Sequence, residues 1–318
     1  MGRMWAGLAL AAALAGTVAS PVRAQEDEDR VEDIVVVARR AGAPMWTVER
    51  GDSTVILVGS IRGLPRDLAW RPEALEEATG RADRILYPPY ARASVSDLMR
   101  LIWRSRTITR LPGETTSADH LSPDLQARLN SVMSGERNQD WRRRSFLLTS
   151  DDLLKRTGWE RGGRDAEDVI RQAARRGRVQ GEAVGFVRGD ELVDNLITQP
   201  PSAYEPCMAA SIAAAEVGPG LFVERADDWR GLRVAEVIEN PLDAALGQCW
   251  PWGDPTIGPQ LRAHWLTALS TALGTPGVTL AVAPLRLLAE PGGVLDGLEA
   301  DGLDVRGPDW KTKTDRPQ

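Results

Sequence analysis

The chain has 318 residues, 42% of them hydrophobic and 26% charged, which is enough for a packed core and too polar for a multi-span membrane protein. Lys and Arg number 39 against 45 Asp and Glu, a net charge of −6, so no basic footprint points to nucleic acid. With 2 His and 2 Cys, chemistry that needs several imidazole or thiolate ligands is excluded at the outset.

Residues 1–24 read as a secretory signal peptide. Arg3 supplies the positive start, Trp5 to Val18 form an apolar run broken only by Gly and Thr, and Val22-Arg23-Ala24 resemble a cleavage site. A membrane anchor is the alternative, but the run falls short of the ~20 residues a bilayer needs, and cleavage is expected before Gln25. The processed chain is then expected to be periplasmic, with no transmembrane segment of its own. Residues 25–43 form an acidic leader (Glu26, Asp27, Glu28, Asp29) and an extended arm from Ile34 to Arg40, an edge strand or docking arm.

Ordered structure is expected from Pro44-Met45-Trp46. Trp46–Glu49 and Thr54–Val58 read as two strands of a hairpin about the turn residues Arg50-Gly51-Asp52-Ser53. Pro72 opens a helix whose Leu75, Ala78 and Ala82 share a face, and Arg84 to Tyr87 is a strand stopped by Pro88-Pro89. From Ser94 to Gly247 the periodicity is helical, at 95–103, 123–133, 166–175, 191–197, 203–215 and 232–238. Pro259 opens a further helix with Leu261, Trp265, Leu266, Leu269 and Leu273 as its apolar stripe, ended by Gly274. Gly277 to Val282 is an all-apolar strand, followed by a helix over 293–300 and a strand over 303–305.

Two segments echo each other. Val55-Ile56-Leu57-Val58-Gly59-Ser60-Ile61-Arg62 and Val278-Thr279-Leu280-Ala281-Val282-Ala283-Pro284-Leu285-Arg286 each run strand, small residue, two spacers, arginine. A buried strand ending in a tight turn carries the next polar side chain over its C-terminal edge, where open α/β sheets bind ligands. Two such ends are expected to converge.

Standard catalytic signatures are missing: there is no Gly-x-Ser-x-Gly elbow, phosphate-binding loop, Gly-x-Gly-x-x-Gly or His-Glu-x-x-His. His120 and His264 read as structural histidines, since a lone imidazole base needs an orienting partner. The adjacent acids Glu76-Glu77, Asp151-Asp152 and Asp227-Asp228 do not share a helix face and read as solvated charges. Trp250-Pro251-Trp252 reads as packing more readily than as a sugar platform. Cys207 and Cys249 are expected to form a disulfide in an exported chain, and neither has the neighbouring His that a catalytic thiol would need.

Pro44-Met45-Trp46, the segment Ile56 to Arg62, Ala82-Asp83-Arg84-Ile85-Leu86, Arg262 with Trp265, and the stretch from Pro291-Gly292-Gly293-Val294-Leu295 to Leu303-Asp304-Val305 resemble, in order and spacing, the TraB/GumN family. That family is similar in turn to the Tiki metalloproteases and the erythromycin esterase/ChaN-like fold. The resemblance implies two Gly-x-x-His motifs and a Glu as a metal-binding catalytic set. Here the first His position falls on Arg62, after Gly59, the second on Arg286, where Ala283 replaces the Gly, and the Glu on or beside Pro88. Arginine has no lone pair to give a cation and repels it, so no metal and no cofactor is expected. Arg262 and Trp265 read as scaffold.

The expected architecture is α/β (α+β as the alternative), a mixed sheet flanked by helices with a helical middle, over a domain of residues 44–307 and a tail of 308–318. The candidate ligand-binding residues are Gly59, Arg62, Arg286, Arg262 and Asp83, with Asp83 and Glu290 as acids able to neutralise the arginines. The expected function is that of a non-catalytic pseudoenzyme binding a small anion, a peptide or an envelope partner. A hydrolase of peptide or ester bonds with a non-standard site, and a structural envelope protein acting through the arm, are the alternatives.

Overall fold

A computed structural model describes residues 42–160 and 162–311, all within the compact unit Ala38–Gln318. The segments read as a signal peptide, an acidic leader and an arm to Arg40, and the end of the tail, lie outside the described residues.

Among the described residues there are eight strands: β1 (Met45–Arg50), β2 (Ser53–Ser60), β3 (Arg84–Tyr87), β4 (Tyr90–Arg92), β5 (Gln180–Ala183), β6 (Phe186–Arg188), β7 (Gly277–Pro284) and β8 (Val305–Arg306). Six form a sheet in the order β5-β3-β7-β2-β1-β8, and β4 pairs with β6 in a separate ribbon. The pairs β2/β7, β3/β7 and β3/β5 are parallel, whereas β1 pairs antiparallel with both β2 and β8. The α/β reading with a mixed sheet flanked by helices therefore holds.

The all-apolar runs explain the centre of the sheet. Val55 to Val58 and Leu280 to Ala283 are buried at consecutive positions, so both faces of β2 and β7 are covered. Ile257–Leu273 packs on β2, and Glu73–Arg81 packs beside Ala166–Gly177. A second apolar cluster, built from Leu129, Trp141, Phe146, Leu153, Met208 and Ile212, gives the helical middle its own core.

Three short strands depart from the sequence reading. β5 lies inside the stretch read as helical, yet it forms one edge of the main sheet, and Gln180, Gly181 and Glu182 are exposed. An edge strand buries too little to need an apolar pattern. β4 and β6 were likewise hidden by their polar or mixed composition. The middle also contains the unpredicted helices Phe146–Lys155, Gly220–Arg230 and Pro241–Gln248. Residues 308–311, read as the start of the tail, are packed: the Trp46 indole donates to the Pro308 carbonyl at 2.8 Å, and Trp310 is buried edge-on against Trp46.

The disulfide Cys207–Cys249 joins the helix Glu205–Val217 to the end of Pro241–Gln248. No single helix among the described residues is long and apolar enough to cross a membrane.

Candidate functional site

Parallel pairing of β2 with β7 sets Gly59 opposite Ala283 and Ser60 opposite Pro284. The two echoing segments therefore leave the sheet side by side at the same edge, and Arg62 and Arg286 each follow their strand by two residues. β3 and β5 run parallel to β7 and end at that edge too.

Arg286 lies in the short helix Leu285–Ala289 and turns inward. Its Nε donates to Asp243 Oδ2 at 2.9 Å, Nη2 forms an ion-pair contact with the same oxygen at 2.9 Å, and Nη2 donates to the Ile238 carbonyl at 2.6 Å. The other carboxylate oxygen, Oδ1, accepts from Arg225 Nε at 2.8 Å and is ion-paired with Nη2 at 2.7 Å. The third guanidinium nitrogen of Arg225, Nη1, donates to the Arg62 carbonyl at 3.0 Å. Asp243 and Arg225 are 4% and 3% exposed, so this is a buried network of two guanidiniums around one carboxylate with a net charge of +1. Gly247 makes room for it: a Cβ there would stand 2.4 Å from Arg286 Cδ.

Arg62 behaves differently. Its backbone is fixed by Arg225, but its side chain is exposed and has neither hydrogen bond nor ion pair among the described residues. The two positions that the sequence treats alike thus have distinct roles: one guanidinium is locked inside, the other stands free at the strand ends. Gly59 supports the turn between them. A Cβ there would stand 2.4 Å from Leu285 Cδ1, and its carbonyl accepts from the Trp229 indole at 2.8 Å. The buried side chains of Leu285, Trp46 and Trp229 fill the space under the strand ends.

The other candidates separate. Arg262 donates to the Trp252 carbonyl at 3.2 Å and comes 3.6 Å from Glu290, so Glu290 serves Arg262. Asp83 precedes β3 and accepts from the Val278 amide at 2.7 Å, at the start of β7. It therefore sits at the opposite edge of the sheet from Arg62 and Arg286, and its role is to lock strand register. The acid that neutralises Arg286 is Asp243, which sequence reading passed over together with Arg225. A signal for Arg225 existed: Leu221, Phe222, Ala226 and Trp229 are apolar at helical spacing, and position 225 falls on their face.

His120 hydrogen-bonds the Thr115 hydroxyl at 2.8 Å and packs edge-on to Phe146. His264 packs against Gly185, and its buried Nδ1 has no hydrogen-bond partner among the described residues. Asp228 departs from the reading as a solvated charge: it is 9% exposed and bonded to Arg233. Trp250 donates to Asn195 at 3.1 Å, a structural contact. A cleft of about 460 Å³ lies in the helical middle, lined in part by Arg110, Arg143, Phe146, Leu196 and Tyr204. Burial, with Asp254 nearby, pushes the Tyr204 phenol up to about 12. None of the candidate residues lines this cleft.

A divalent cation does not fit the strand-end site. Among the described residues no group of three or more His, Cys, Asp and Glu side chains is placed to hold one. Asp243, the carboxylate that Arg286 engages, has both oxygens taken by arginines, and a cation beside Arg62 and Arg286 would meet like charge. No curated protein and no solved structure matches the chain. A sequence model described as the TraB/PrgY/gumN family matches residues 44–307, nearly the whole of the described fold and both strand ends, and the chain belongs to that family.

Proposed function

We propose that this chain is an exported, non-catalytic member of the family that grips an anionic group at the C-terminal edge of its sheet. The single observation that carries the proposal is the exposed Arg62 guanidinium, without a side-chain partner among the described residues, standing on a buried arginine network of net charge +1. Carboxylate, phosphate and sulfate match a guanidinium fork through paired hydrogen bonds. The group belongs to a small molecule, a peptide or an envelope partner. Export to the periplasm is supported by the signal-like residues 1–24 and by the Cys207–Cys249 bridge, which suits an oxidising compartment.

The hydrolase reading finds little support. A carboxylate pair needs two facing acids, and at this edge Asp243 is saturated by two arginines while Glu290 faces Arg262. The space below Gly59 is packed with apolar side chains.

Calorimetric titration with inorganic phosphate and with sulfate tests the proposal. One saturable anion per chain is expected, weakened at least about tenfold by Arg62→Ala through loss of a charge-assisted pair. Ester or peptide cleavage that falls with Arg62→Ala or Arg286→Ala would overturn the non-catalytic reading, and anion binding indifferent to Arg62 would overturn the site.

A further inference from the structure

The helix Val95–Trp103 is mounted inside out. Surface helices normally bury their apolar stripe and expose the polar one. Here the only buried residue of the helix is Asp97, which accepts from the Ser94 amide and hydroxyl at 2.7 Å and lies against Gly189. Arg100, on the polar side, is ion-paired with Asp194 of the neighbouring helix Gly189–Thr198. The opposite face is open: Val95 is 80% exposed, Leu98 58%, Met99 52%, Ile102 56% and Trp103 87%. Residues 95, 98, 99 and 102 follow the spacing of one helical stripe, with Trp103 on its flank. Tyr90 on β4 and Phe186 on β6 add two exposed rings, 6.1 Å apart, on the ribbon next to this helix pair.

The surrounding charge identifies the occupant. Residues 90–110 carry Arg92, Arg100, Arg104, Arg106 and Arg110 against Asp97, in a chain whose net charge is −6; Arg100 is paired with Asp194, and Arg106 lies 3.6 Å from Glu114. Arg104 and Arg110 are exposed and have no side-chain partner among the described residues. Two copies of this chain meeting through this face would oppose arginine to arginine. An anionic bilayer surface complements both features, taking the apolar stripe into its acyl boundary and the arginines into its headgroups, with Trp103 at the interface where indoles concentrate.

We infer that the helix Val95–Trp103 is a peripheral membrane-docking element that seats the protein on anionic lipid. The helix lies on the surface without spanning the bilayer, and the docking is independent of anion capture by Arg62.

Co-sedimentation with vesicles tests it, using the chain from Gln25 onward, which retains every described residue. The protein is expected to pellet with vesicles of equal phosphatidylglycerol and phosphatidylcholine, and far less with phosphatidylcholine alone. Ile102→Ser with Trp103→Ser should weaken pelleting at least about tenfold, and so should Arg104→Glu with Arg106→Glu, both without altering the melting profile because all four side chains are exposed. Absence of binding to the anionic vesicles, or binding unchanged in both double variants, would overturn the inference. So would a stable dimer in sedimentation velocity that Ile102→Ser with Trp103→Ser dissociates, since it would identify a second copy as the occupant.

Discussion

Arg286, two residues past the end of β7, directs its guanidinium onto the buried carboxylate of Asp243 at 2.9 Å, although 43 residues separate the two in sequence. That contact turns one of two like strand-end positions into an internal strut. It also joins Arg225 and the Arg62 backbone to the same carboxylate, so the turn bearing the free guanidinium rests on a fixed base.

Removal of Asp243 leaves two guanidiniums around an empty centre, one of them fully desolvated. Asp243→Ala is expected to cost about 3–5 kcal/mol of folding stability, in line with other cases in which one member of a buried ion pair is deleted. Arg286 retains more access to water, so Arg286→Met should cost less. Urea unfolding of the single variants and the double variant measures the coupling. A loss below about 1 kcal/mol for Asp243→Ala, typical of an exposed pair, would show that the network is wetter than its burial indicates.

The bridge between Cys207 and Cys249 spans 42 positions and ties the helical middle together. On the chain-entropy account, closing a loop of that length contributes about 4 kcal/mol. The double variant Cys207→Ala with Cys249→Ala should therefore melt lower, as should the reduced protein. Equal melting temperatures with and without reductant would contradict the prediction.

Much of the sheet was legible because its centre is buried on both sides. The apolar runs of β2 and β7, the hairpin turn at Gly51, and the stop at Pro88-Pro89 announce themselves by composition alone. That the segments bearing Arg62 and Arg286 leave the sheet side by side follows from their shared spacing once the strands pair in parallel. Arg225 and Asp243 were less visible, since they are charged residues whose burial depends on each other: the apolar face of its helix marks position 225 as inward, but nothing in the sequence names Asp243 as its partner. The helix Val95–Trp103 shows another limit: its stripe was readable, but a stripe does not say which side meets the core, and here Asp97 does. Asp83 was misplaced relative to the site because a residue at the start of β3 shares an edge with Arg62 and Arg286 only if β3 runs antiparallel to β7, and strand direction is not written in the local sequence.

The C-terminal contact carries a pH signature. Partial burial pushes the Asp296 carboxyl up, but hydrogen bonds from the Lys311 ammonium, the Trp310 indole and the Gly292 amide outweigh it and hold the group below its ordinary value. A folded-state value below the unfolded one favours folding above the unfolded pKa, and that contribution fades as pH falls through the folded value. Asp296→Asn should therefore lower stability at neutral pH, by about 1 kcal/mol as for one lost charge-assisted bond. The gap between wild type and variant should close below about pH 4, where the unfolded carboxylate takes up its proton. Denaturant midpoints at pH 7 and pH 3 provide the check, and a gap that widens on acidification would contradict the assignment.

The proposal that guanidinium groups stand at the strand ends where a cation site would otherwise lie is tested most directly by metal uptake. Chelator-treated, refolding-competent protein titrated with zinc, manganese and cobalt, followed by calorimetry and elemental analysis after dialysis, should retain no stoichiometric metal. One tightly held ion per chain, lost on substitution at Asp243 or His264 while the fold persists, would contradict the account.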